Sequence, residues 1–177
     1  MKAASVAEIK QELKRIPQSQ LVDICLRLAR HKKENKELLT YLLFEAGDME
    51  TYRSSVKKEI ENGFAEINTS NIYFIKKSMR KILRTTNKFI RYTGCKETEA
   101  DLLIHFCVQW KESGIPVQRS NALSNLYQAQ QKKIFAALSA LHEDLQRDYI
   151  NLMSKLDEEE KPATPRAKVI SFLDIRL

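Results

Sequence analysis

The stretch Asn71 to Gly94, NIYFIKKSMRKILRTTNKFIRYTG, leaves the chain few ways to fold. At ~100° per residue its spacing predicts one long helix with two opposed faces. Ile72, Ile75, Met79, Ile82, Leu83, Thr86, Phe89 and Ile90 fall on one side. Lys76, Lys77, Arg80, Lys81, Arg84, Lys88 and Arg91 fall on the other. No Asp or Glu lies between Ile67 and Lys96, so the segment, counting Lys96, carries eight cations without one acid. The chain as a whole is only +7; outside this segment 22 basic residues face 23 acidic ones. Its basic character is therefore one helix face and not a diffuse composition.

A helix with one apolar face needs partners to cover that face. With four Gly and four Pro in 177 residues, and 43% hydrophobic content, the expected partners are other helices. The expected fold is all-α: seven or eight helices in stacked antiparallel hairpins, a bundle or a short solenoid-like superhelix. Residues 1–160 read as a single helical domain and 161–177 as a linker with an apolar tail. No repeat period of about 30 to 45 residues holds along the chain.

Local signals place the helices. Ser5 with Glu8 is a capping box for a helix over about Val6 to Arg15, with Val6, Ile9 and Leu13 inward. Pro17 starts a second, to about His31, burying Leu21, Ile24, Cys25 and Leu28. Asn35 is the expected cap of a third, with Leu38, Leu39, Leu42 and Leu43 as its stripe and Gly47 at its end. A fourth, about Met49 to Ile67, carries Tyr52, Val56, Ile60, Phe64 and Ile67, with Gly63 as an internal weak point. Thr98 and Asp101 read as a second capping box, opening a helix that buries Leu102, Leu103, Phe106 and Trp110. After the Gly114-Ile115-Pro116 loop, the spacing from Ser120 to Leu156 allows one long helix or two with a bend near His142. The tail, Val169 to Leu177, alternates apolar and charged residues in an extended pattern.

Three function classes recede. Cys25, Cys95 and Cys107 are odd in number and form no CxxC pair, which reads as reduced thiols. Asp101 and His105 stand four apart, and His142 precedes Glu143 and Asp144, but neither set has a third ligand or an HExxH frame, so no metal is expected. There is no GxSxG, no glycine-rich phosphate loop and no catalytic setting for a cysteine, so neither a cofactor nor an enzyme is expected. The opening MKAASVAEIKQELK lacks the apolar core of a secretory signal, and no apolar run spans a bilayer. The expected setting is cytoplasmic, away from membranes.

What remains is the basic face. Lys77, Lys81, Arg84, Lys88 and Arg91 form a row along about 20 Å of helix. Like charges four apart cost an isolated helix ~0.2–0.5 kcal/mol a pair, and no acid relieves them here. The expected function is a non-enzymatic binding module. Its residues Lys76, Lys77, Arg80, Lys81, Arg84, Lys88 and Arg91 would contact a polyanion, nucleic acid before an acidic protein surface. Phe74, Phe89 and Tyr92 are the aromatics available for stacking, with Phe89 assigned to the core. Arg27 to Lys33 is a smaller basic cluster that suits the negative end of its helix dipole. The competing interpretation is a solvated face neutralised by Asp157 to Glu160, on a protein-interaction scaffold that uses helix faces and the tail.

Overall fold

In a computed structural model, residues 2–158 are described. The described residues form eight α-helices and no strand. The tail Val169 to Leu177 and the acidic side chains of Asp157 to Glu160 lie outside them. No described helix is long and apolar enough to cross a membrane. The chain divides into two compact units, residues 1–48 and residues from 49 onward.

The first unit holds α1 (Val6–Leu13), α2 (Gln18–His31) and α3 (Lys33–Thr40). The capping box of α1 forms as its sequence requires: the Ser5 amide donates to Glu8 Oε2 at 2.7 Å, and the Glu8 amide donates to Ser5 Oγ at 3.3 Å. Those hydrogen bonds hold the Glu8 carboxyl below its usual range. Asn35 does not cap α3. That helix begins at Lys33 after the single extended residue Lys32, and Asn35 Nδ2 instead donates to the Leu28 carbonyl at 2.9 Å. One wide turn, Tyr41–Glu45, then carries the chain toward Gly47.

This unit corrects the expected interior. None of α1, α2 or α3 has a buried residue, and Tyr41 alone is buried among the unit's described residues. Val6, Ile9, Leu13, Leu21, Ile24, Leu28, Leu42 and Leu43 are all exposed, Leu28 at 55% and Leu43 at 64%. The physical reason is size. Three helices of 8, 14 and 8 residues give each apolar stripe too little opposing surface to enclose it.

The second unit holds α4 (Met49–Ala65), α5 (Ile72–Thr93), α6 (Lys96–Glu112), α7 (Asn121–Leu138) and α8 (Glu143–Glu158). Helix α6 is its centre and packs on α4, α5 and α7. Thr98, Ala100, Leu102, Leu103, Ile104, Phe106, Cys107 and Trp110 are buried, which wraps most of the helix in protein. Edge-on rings run through this core, with Phe106–Trp110 centroids 5.8 Å apart and Trp110–Tyr127 5.4 Å apart. Trp110 Nε1 donates to the Ile115 carbonyl at 3.1 Å, which ties down the loop after α6 where Gly114 takes φ +66°.

Three local expectations change here. Thr98 does not cap α6, because Gly94 and the extended Cys95 feed the chain into the helix at Lys96. Thr98 lies inside the first turn and is buried, and Asp101 turns instead to Lys57, 2.9 Å away. Helix α4 ends at Ala65, two residues short of Ile67. The choice between one helix and two after Ser120 is also settled. Helix α7 stops at Leu138, and α8 begins at Glu143. Ser139 Oγ donates to the Ala136 carbonyl at 3.1 Å and Gln146 Nε2 to the Leu141 carbonyl at 2.7 Å, so side chains satisfy oxygens left open at the corner.

Gly63 has a packing role. A Cβ built there would sit 2.9 Å from Ile82 Cγ1, so glycine is what lets α4 approach α5 this closely. The buried thiol of Cys107 is pushed up to about 12 by desolvation, while Cys25 and Cys95 are only half-buried.

Candidate functional site

Helix α5 runs 22 residues, and both its ends are chemically marked. Asn71 is extended, and its side chain accepts from the Tyr73 amide at 2.8 Å. Gly94 ends the helix in the left-handed region at φ 60°. Between these ends Ile75, Met79, Ile82, Leu83, Thr86 and Ile90 are buried. The hydroxyl of Thr86 donates to the Ile82 carbonyl at 3.0 Å, so a polar residue enters the core satisfied. Ile72 and Phe89, placed on the same side by spacing, are half-buried. The Tyr52 hydroxyl donates to the Phe89 carbonyl at 3.2 Å.

Burial of this side turns the other outward. Lys77, Arg80, Lys81, Arg84 and Arg91 are exposed, and Lys76 and Lys88 are half-buried. Lys88 Nζ lies 4.7 Å from the centroid of the Phe89 ring, a cation–π contact that draws it toward the helix flank. Among the described residues, Lys76, Lys77, Arg80, Lys81, Arg84 and Arg91 form no ion pair. Lys96, the eighth cation of the segment, lies beyond the helix and pairs with Glu99 at 2.7 Å.

The neighbouring helices show what pairing looks like in this fold. Residues 53, 57 and 61 of α4 face residues 97, 101 and 105 of α6. Arg53 meets Glu97 at 2.7 Å and Lys57 meets Asp101 at 2.9 Å. On the third rung the signs invert: Glu61 lies 3.1 Å from His105 Nε2, near enough for an ion pair but not aligned as a hydrogen bond. Burial lowers the pKa of His105, Glu61 opposes that shift, and Lys57 adds to it. Tyr149 of α8 stands in the field of Asp101 and Glu97, and burial followed by those charges pushes its phenol up to about 12. Asp101 thus belongs to an ion-pair ladder, and His105 stands opposite Glu61 on its third rung. Among the described residues no three His, Cys, Asp or Glu side chains are placed to hold a metal ion.

A groove of about 420 Å³ runs between α4 and α5, with Lys81, Ser78 and Thr85 on one wall and Glu59, Asn62 and Glu66 on the other. Its acidic wall marks one edge of the basic face. Arg27 to Lys33 lies in the first unit at the end of α2, where Arg30 and His31 occupy the last turn and Lys33 sits 3.7 Å from Glu37.

One exposed aromatic on the basic face was missed by sequence reasoning. Tyr73 is 63% exposed and Phe74 43%, and their rings meet edge to face with centroids 5.6 Å apart. Tyr92, by contrast, is half-buried with its ring 6.1 Å from that of Phe89. The signal was available. At ~100° per residue, position 73 shares its azimuth with position 91 and lies within about 20° of 80 and 84. No family model, no curated protein and no solved structure matches this chain.

Proposed function

We propose that this protein is a non-enzymatic binding module whose α5 face meets a polyanion, with the phosphate backbone of nucleic acid as the leading partner. The observation that carries the proposal is the set Lys77, Arg80, Lys81, Arg84 and Arg91. Exposed cations line one face of one helix without a described acidic partner, in a fold that pairs Arg53 and Lys57 of α4 across to α6. Such a row gains by releasing the counterions of a phosphate chain. It also carries self-repulsion that an external anion relieves. A second reading, a scaffold for protein contacts, draws on the exposed Leu and Phe side chains of residues 1–48.

The test is retention on heparin and binding of labelled nucleic acid across a salt series. For four or five phosphate contacts, log K should fall with log salt at a slope of about −3 to −4.5. Lys77→Glu, Lys81→Glu and Arg84→Glu together should abolish binding without loss of helical signal. Failure to bind any polyanion at low salt would remove the reading. Binding without a salt slope would favour the scaffold.

A further inference from the structure

The basic face does not end in charge. Its N-terminal end carries two exposed rings, Tyr73 and Phe74, set edge to face on the first turn of α5. Tyr73, Lys77, Arg80, Arg84 and Arg91 form one line along the helix, all within about 40° of a common azimuth and spanning about 27 Å. Among the described residues of the second unit Tyr73 is the most exposed large ring, and its hydroxyl makes no hydrogen bond to a described residue. The Tyr73 hydroxyl can donate to a phosphate oxygen, but the faces of the two rings gain nothing from one. Their gain comes from a flat apolar partner, and a base supplies one only when it is out of its own stack. In a duplex the base faces are already covered, and a protein meets phosphates, sugars and base edges.

We infer that the α5 face binds single-stranded nucleic acid, with Tyr73, flanked by Phe74, stacking an unpaired base at one end of a backbone track formed by Lys77, Arg80, Arg84 and Arg91. This rests on the polyanion reading above and narrows it to a strand whose bases are free. The stacking partner is any base, so sequence preference is weak. DNA and RNA share this chemistry, and both are tested.

The experiment uses the full chain and fluorescence anisotropy with four probes: a single-stranded DNA, a single-stranded RNA of the same sequence, a hairpin duplex, and a single strand of abasic sugar-phosphate. The parent should bind the single strands more tightly than the duplex or the abasic strand at equal phosphate number. Tyr73→Ala should weaken single-strand binding by about tenfold, the scale expected for one lost base–aromatic stack. It should leave abasic-strand affinity, heparin retention and the salt slope unchanged. Tyr73→Phe should restore most of the loss, and Phe74→Ala should cost less than Tyr73→Ala. Both rings are exposed, so unchanged circular dichroism is expected for every variant. Equal affinity for all probes with a salt slope but no response to Tyr73→Ala would overturn the stacking inference and leave the polyanion reading standing. No binding to any probe or to heparin at low salt would overturn both.

Discussion

The two units of this chain carry the same kind of sequence signal and treat it differently. In α2 of the first unit, Leu21, Ile24, Cys25 and Leu28 recur at helical spacing, yet Leu21 is 37% exposed and Leu28 55%. In α5 of the second, Ile75, Met79, Ile82 and Ile90 recur at the same spacing, and Ile75 and Met79 are wholly buried. The difference is the supply of neighbours. Helix α5 packs against both α4 and α6, and α6 is itself covered by α7, so each apolar stripe faces another. Helix α2 has only α3 as a packing partner of comparable extent within its unit. Periodicity declares which face of a helix is apolar. It does not say whether the chain provides enough opposing surface to bury that face.

That comparison breaks most visibly through a buried charge. Met79→Asp should cost more than ~4 kcal/mol, since it places an unpartnered carboxylate at a fully buried site. Thermal melts should show loss of the second unit's cooperative transition, and a parent-like melt would show that the α5 face is not core. A smaller loss is expected from Gly63→Ala. The gain in helix propensity is about 1 kcal/mol, against about 1–3 kcal/mol for overpacking on Ile82. The net should be destabilising by about 1 kcal/mol, read as a lower urea midpoint. Stabilisation would mean that α4 and α5 separate at little cost.

The pH arm sharpens the contrast within the second unit. Burial lowers the His105 pKa below its usual value, so the unfolded chain takes up the proton first as pH falls. Stability from neutral His105 should therefore be present above about pH 6.5 and decline as pH drops below it. His105→Gln should flatten the fall in melting temperature between about pH 7.5 and 5.5. An unchanged slope would place the pH dependence on other groups. The smallest effect belongs to the first unit: Leu28→Ser should move stability by no more than about 0.5 kcal/mol, because the side chain is already 55% exposed. A loss of several kcal/mol would show that α2 has a covered face after all.

Much of the second unit was legible. The end of α5 at Gly94, the loop at Gly114 and the buried set Leu102, Leu103, Phe106 and Trp110 follow from local chemistry and spacing. Thr98 and Asp101 were not legible, because a capping pattern of the right residues began within the first turn of a helix that Gly94 and Cys95 had already begun. The inverted third rung at Glu61 and His105 was beyond sequence, since it depends on the register of α4 against α6. The basic residues of α5 were visible as a face. That Lys77, Arg80, Lys81, Arg84 and Arg91 form no ion pair with a described residue was not visible, because pairing depends on which acids the fold brings near. Tyr73 was legible too, since its azimuth is that of Arg91.

The three thiols give the molecule a built-in clock. Cys107 is 4% exposed on the central helix, and its thiol is pushed far from the reactive thiolate form. A thiol reagent should therefore modify the half-buried Cys25 and Cys95 first. Cys107 should react only when α6 is released from its neighbours. The slow phase of labelling then reports how often the second unit opens around α6, without a probe being introduced.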